Sequence, residues 1–111
     1  MTEPRTRKIG ENEALFRSVN EQIEELSETF SVAADAMTIV CECGNRECVE
    51  QFEISVREYE DIRADASLFF VVPGHDEDDL ERVVRRTDRY WVVSKREGEP
   101  ARIARDTDPR N

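Results

Sequence analysis

Cys41-Glu42-Cys43-Gly44-Asn45-Arg46-Glu47-Cys48 decides how this 111-residue chain is read, because it holds all three of its cysteines. Further on, Pro73-Gly74-His75 supplies the single histidine. Three thiols within one short stretch and one imidazole are the inventory of a tetrahedral Cys3His zinc site. Gly44-Asn45 gives the backbone freedom to wrap around an ion, and Pro73-Gly74 sets a tight turn that presents His75. Independent buried cysteines would not need to cluster, and a disulfide between Cys41 and Cys48 would leave Cys43 odd. Three cysteines fit a reducing cytoplasm better than a disulfide framework.

The residues before the cysteines lead into them in strand register. Met37, Ile39, Cys41 and Cys43 share one face of a strand over 37–43. Phe52 and Ile54 mark a returning strand over 48–54, so the metal loop closes a hairpin knuckle. Ser55-Val56-Arg57-Glu58 is a capping box opening a helix over 56–64 that buries Val56, Tyr59 and Ile62. Leu68-Phe69-Phe70-Val71-Val72 is an unbroken apolar run, expected at the centre of the sheet. Asp76-Glu77-Asp78-Asp79 is expected to start a short helix. Val83-Val84 and Tyr90-Trp91-Val92-Val93 form a last hairpin turning at Asp88-Arg89, and 101–105 a short helical turn.

Upstream, Leu15, Phe16, Val19, Ile23, Leu26 and Phe30 recur at helical spacing, with Asn12 as N-cap, which predicts an amphipathic helix over 13–34. Residues 1–10 are expected to be a disordered lead-in, 11–106 a single zinc-stabilised α+β domain, and 107–111 a frayed tail. The fold class is α+β: an N-terminal amphipathic helix on a small, mostly antiparallel sheet. The apolar stripe of the helix, with Leu15, Val19, Ile23 and Leu26, can pack on that sheet or meet a partner chain, a second copy included.

Charge narrows the function classes. Aspartate and glutamate total 26 against 16 lysines and arginines, a formal net charge of −10, which opposes general binding to nucleic acid or anionic membrane. No apolar run is long enough to span a membrane, and no secretory signal follows the basic first residues. The imbalance is uneven, however. Residues 11–34 carry six glutamates against Arg17 alone, whereas Arg85, Arg86 and Arg89 crowd the last hairpin beside Trp91. Those four residues and the helix stripe are the candidate partner surfaces. A protein-interaction or regulatory module is therefore expected. A nucleic-acid adaptor using the basic hairpin is the alternative, and an enzyme with an open metal site a third reading. A closed Cys3His shell leaves no position for water, there is no glycine-rich phosphate loop, and no second histidine can serve as a base, so no catalytic residue is expected.

Asn12-Glu13-Ala14-Leu15-Phe16-Arg17, the three cysteines, Tyr59-Glu60-x-Ile62-Arg63-Ala64-Asp65, Val72-Pro73-Gly74-His75 and Tyr90-Trp91-Val92-Val93 occur together. In this the chain resembles a group of small uncharacterised bacterial proteins over about residues 11–96. The resemblance implies that the cysteines and His75 form one shared feature and implies no activity. An iron–sulfur cluster is the alternative cofactor. The Cys3His count is similar to that of 2Fe–2S proteins of the CDGSH type, whose compact spacing this chain lacks.

Overall fold

A computed structural model describes residues 4–30 and 36–110 of the chain. Helix α1 (Pro4–Phe30) leads into strands β1 (Ala36–Val40) and β2 (Gln51–Ser55), helix α2 (Val56–Arg63), strands β3 (Leu68–Val71), β4 (Glu81–Arg86) and β5 (Trp91–Lys95), and helix α3 (Glu99–Asp106). This is an α+β arrangement with two antiparallel sheets. One is the β1–β2 hairpin, with Met37 opposite Ile54 and Ile39 opposite Phe52. The other has the order β3-β5-β4.

The central strand is therefore β5 rather than the apolar run at Leu68–Val71. Val92 and Val93 point to opposite faces and both are buried, so β5 is covered from either side. Above Phe70 and Val92 lie Met37, Ile39, Phe52, Ile54, Tyr59 and Tyr90. Below Phe69, Val71 and Val93 lie Cys41, Cys43 and Ala104. The outer edge of β3 meets no strand among the described residues. Glu42 covers it, its N–H donating to Phe70 O (2.7 Å) and its carboxylate accepting from Phe70 N–H (3.0 Å).

Two expected elements differ. Asp76–Asp79 forms a turn, not a helix. Leu80 and Glu81 N–H close onto Glu77 O (2.9 and 3.0 Å), and β4 then starts at once because the Glu81 carboxylate is drawn inward to Lys95 (2.8 Å). The final element, expected as a short turn, is a full eight-residue helix entered through Gly98 at φ 99° with proline in its first turn.

Helix α1 begins at Pro4, so residues 4–10 are not a lead-in. Thr6, Ile9, Gly10, Glu13, Arg17, Asn20 and Glu24 recur at three- and four-residue intervals and are all buried. Gly10 lets the helix pass close to α3, since a Cβ there would lie 2.7 Å from Ile103 Cγ2. The buried face is thus mostly polar, and of the two readings of the apolar stripe, packing on the sheet does not hold for the stripe as a whole. Leu15, Val19 and Leu26 are 47%, 36% and 58% exposed, and only Ile23 of that set packs partly against the core. The side chain of Phe30, and residues 31–34 of the expected helix, lie outside the described residues.

Hydrogen bonds and ion pairs engage these buried side chains, although Glu13 Oε2 and Arg17 Nε are left without a hydrogen-bond partner. Arg17 donates to Ala66 O (2.7 Å), Ala104 O (2.8 Å) and Thr107 Oγ1 (3.1 Å), and lies 4.5 Å over the Phe69 ring. Lys95 Nζ sits between Glu13 (2.7 Å) and Glu81 (2.8 Å). Burial raises the Glu13 carboxyl well above its ordinary range even against that lysine.

Thr107 to Arg110 are tied down rather than frayed: Arg110 bridges Glu21 (2.6 Å) and Glu60. Burial of Glu21 opposes ionisation, but hydrogen bonds from Arg110 and Tyr59 outweigh it, and the Arg110 bonds lower Glu60 likewise. Carboxyls lowered in the fold add stability above their ordinary value of 4.5 and lose it as pH falls through the folded values. Arg110→Ala is accordingly expected to flatten the decline of melting temperature below pH 4.5 relative to wild type. Parallel slopes in thermal melts from pH 6 to 3 would contradict this.

Candidate metal centre

The β1–β2 hairpin sets the first half of the site. Cys41 directly follows β1 and extends the pairing by one step, its N–H donating to Glu50 O (3.0 Å). The chain then turns through Gly44 and Asn45. Asn45 Oδ1 accepts from Glu47 N–H (3.0 Å) and Asn45 O from Cys48 N–H (3.0 Å), which points Cys48 back at Cys41. Asn12 of α1 clamps the loop by donating to Gly44 O (2.8 Å), and a Cβ at Gly44 would overlap Ile9 Cγ2. Only glycine lets the helix lie this close.

The second half comes from the end of β3. His75 N–H donates to Val72 O (2.9 Å) across Pro73-Gly74, with Gly74 at φ 88°, the form of a type II turn. This turn aims Nδ1 of His75 at the thiols, 3.6 Å from both Cys41 Sγ and Cys48 Sγ. The four ligand atoms of Cys41, Cys43, Cys48 and His75 lie within 4.8 Å of one another. A tetrahedral zinc ion with bonds of about 2.3 Å to sulfur and 2.0–2.1 Å to nitrogen has S···N edges of about 3.6 Å. The two histidine–sulfur distances match that edge, so the residues fit a metal ion.

Electrostatics agree with that fit. The Cys43 thiol is lowered to about 5 by hydrogen bonding from Cys41, helped by Asn45 and His75, against the effect of burial. Cys41 is raised by the same bond to Cys43 and by burial, and Cys48 is raised, chiefly by burial. Among three thiols this close, ionisation of one opposes ionisation of the others, and a bound cation relieves that opposition. Val72 N–H already points at Cys41 Sγ (3.1 Å), an outer-shell donor suited to a thiolate.

The residue that holds the two inner cysteines in place is one that strand alternation places outside. Glu42, between Cys41 and Cys43, is fully buried and ion-paired with equally buried Arg63. Asn20 of α1 donates to Glu42 Oε2 (2.6 Å) and to Val40 O (2.9 Å), and accepts from Val40 N–H (2.8 Å). Neither role has a periodic signal. What marks them is a lone glutamate between two core-facing cysteines and an arginine on the buried side of α2. Beside the cluster, Cys43, Asn45, Gly74, His75, Asp76 and Glu77 line a cavity of about 220 Å³.

The other candidate residues lie away from this centre. Leu15, Val19 and Leu26 form the outer face of α1 with Ile23 half-buried, and Arg85, Arg86 and Arg89 are exposed on the β4–β5 hairpin, where Arg86 stacks 4.9 Å over half-buried Trp91. No described helix is long and apolar enough to cross a membrane. No protein-family model, curated protein or solved structure matches the chain, so the chemistry of the site carries the functional argument.

Proposed function

We propose that this chain is a small zinc-stabilised domain of a reducing compartment that works as a protein-interaction or regulatory module. Cys41, Cys43, Cys48 and His75 hold a structural Zn²⁺ in this reading. The observation that carries it is the convergence of four soft and borderline ligands from two separate segments to within 4.8 Å. With all four positions filled by protein, the ion staples the hairpin to the end of β3 and leaves no site for a reacting water. Exposed Leu15, Val19 and Leu26 and the arginines of the β4–β5 hairpin are surfaces on which interaction would take place.

Purified protein is expected to carry about one equivalent of zinc, with the three thiols unreactive in the native state until a strong chelator is added. Elemental analysis with thiol titration checks this; a metal-free protein whose three thiols all react natively would reject the zinc reading. Nucleic acid as the hairpin's ligand is a second reading. The exposed arginines of the hairpin favour it. The net charge of −10 opposes it, as does Trp91, whose face is taken by Arg86 instead of lying free for a base.

A further inference from the structure

The ion pairs of the described residues use Arg5, Arg63, Lys95, Arg102 and Arg110. None uses Arg82, Arg85, Arg86 or Arg89, all exposed on β4 and the turn after it. The basic hairpin is therefore not neutralised by the acidic helix. In a chain with ten excess negative charges, four clustered arginines outside those ion pairs, of which Arg85 and Arg89 act on the Glu58 carboxylate at longer range, are an exposed cationic surface. β4 is also an outer strand: among the described residues it pairs with β5 alone, so backbone N–H and C=O groups along its other side face away from the sheet. The register shifts between Val83 and Arg85, and Val84 is left 49% exposed. Bulge and arginines together disfavour pairing with a second β4, which would set arginine against arginine.

We propose that the open edge of β4 is a docking site for an extended acidic peptide, which adds as a further strand while Arg82 and Arg85, opposite Ser94 and Val92 on one face of the sheet, receive its carboxylates. The proposal rests on the interaction half of the function above and is independent of the metal. Backbone pairing supplies attachment, and the charge row selects the partner. Val84 gives one apolar contact within the row.

The test uses zinc-replete full-length protein and a fluorescein-labelled peptide of alternating valine and glutamate. Anisotropy should report saturable binding that weakens about tenfold or more in Arg82→Glu/Arg85→Glu and with rising salt. A valine–lysine peptide should not bind, and single-stranded DNA of equal charge should bind more weakly. Amide exchange by NMR should slow at a subset of β4 residues on the wild-type protein when the acidic peptide is added. That readout stands even if the double variant fails to fold. Absence of binding, binding without β4 protection, or tighter binding of DNA would each overturn the proposal. An absent or substoichiometric zinc ion would instead count against the function reading alone.

Discussion

Arg63→Met is expected to destabilise the metal-loaded domain by about 3–5 kcal/mol, the range for removing one partner of a buried ion pair. Against the roughly 5–15 kcal/mol that holds a typical domain together, this is a large fraction. Both side chains of the Glu42–Arg63 pair are 0% exposed, so water cannot replace the lost guanidinium. Glu42 would keep Asn20 and the Phe70 N–H as donors but no cation. Arg63 also donates to Tyr59 Oη (3.2 Å) and stacks 4.9 and 5.3 Å over Tyr59 and Phe70, contacts that methionine replaces only in part. Because Glu42 lies between Cys41 and Cys43, the loss should reach the metal, measurable as easier chelator competition. Glu42→Gln/Arg63→Met should recover more than half of the stability, since glutamine keeps an acceptor for Phe70 N–H without a buried charge. Urea denaturation decides it; a loss below about 1 kcal/mol for the single variant would show that the pair is solvated in solution.

His75→Ala is expected to weaken zinc by more than the roughly 100-fold that loss of an outer-shell partner can cost. The cysteines are local to one hairpin, whereas His75 lies 27 positions beyond Cys48 and closes the loop from the end of β3. Removing it should release the Val72 to Asp79 segment to faster amide exchange while the three thiolates keep some metal. The vacated position faces the cavity lined by Cys43, Asn45 and Glu77, so water or a small added ligand should enter it. Cobalt-substituted protein gives the readout through its ligand-field bands. Identical spectra for wild type and His75→Ala would show that the imidazole does not coordinate, and would reopen the reading of an enzyme with an open metal site.

The clustering of three cysteines and one histidine was legible in the sequence because it is a matter of inventory: only these thiols and this imidazole exist, and a Pro-Gly turn precedes the histidine. The hairpin and α2 were legible from alternation and from the Ser55 cap, which accepts from Glu58 N–H (3.0 Å) as expected. What stayed hidden were placements made by long-range polar pairing. Periodicity reports where apolar residues line up, and in α1 that line faces outward. Glu13, Arg17 and Asn20 are buried because their partners, Lys95, Ala104 O and Val40, lie far along the chain. The strand order was hidden for a related reason. Leu68–Val71 looks central because it is apolar throughout, yet its second edge is covered by one glutamate in place of a strand.

The polar underside of α1 also sets the order in which the domain can assemble. Hydrophobic docking tolerates an approximate fit, and a helix held that way can settle early and adjust. A buried arginine reading carbonyls at Ala66 and Ala104, and a buried glutamate reading Lys95 across 82 positions, gain nothing until those atoms stand in their final places. Docking of α1 is accordingly expected to come late in folding, after the sheet and α3, because its closure spans most of the chain. Kinetic φ-values near zero at Glu13 and Arg17 would bear this out, and values near one would overturn it.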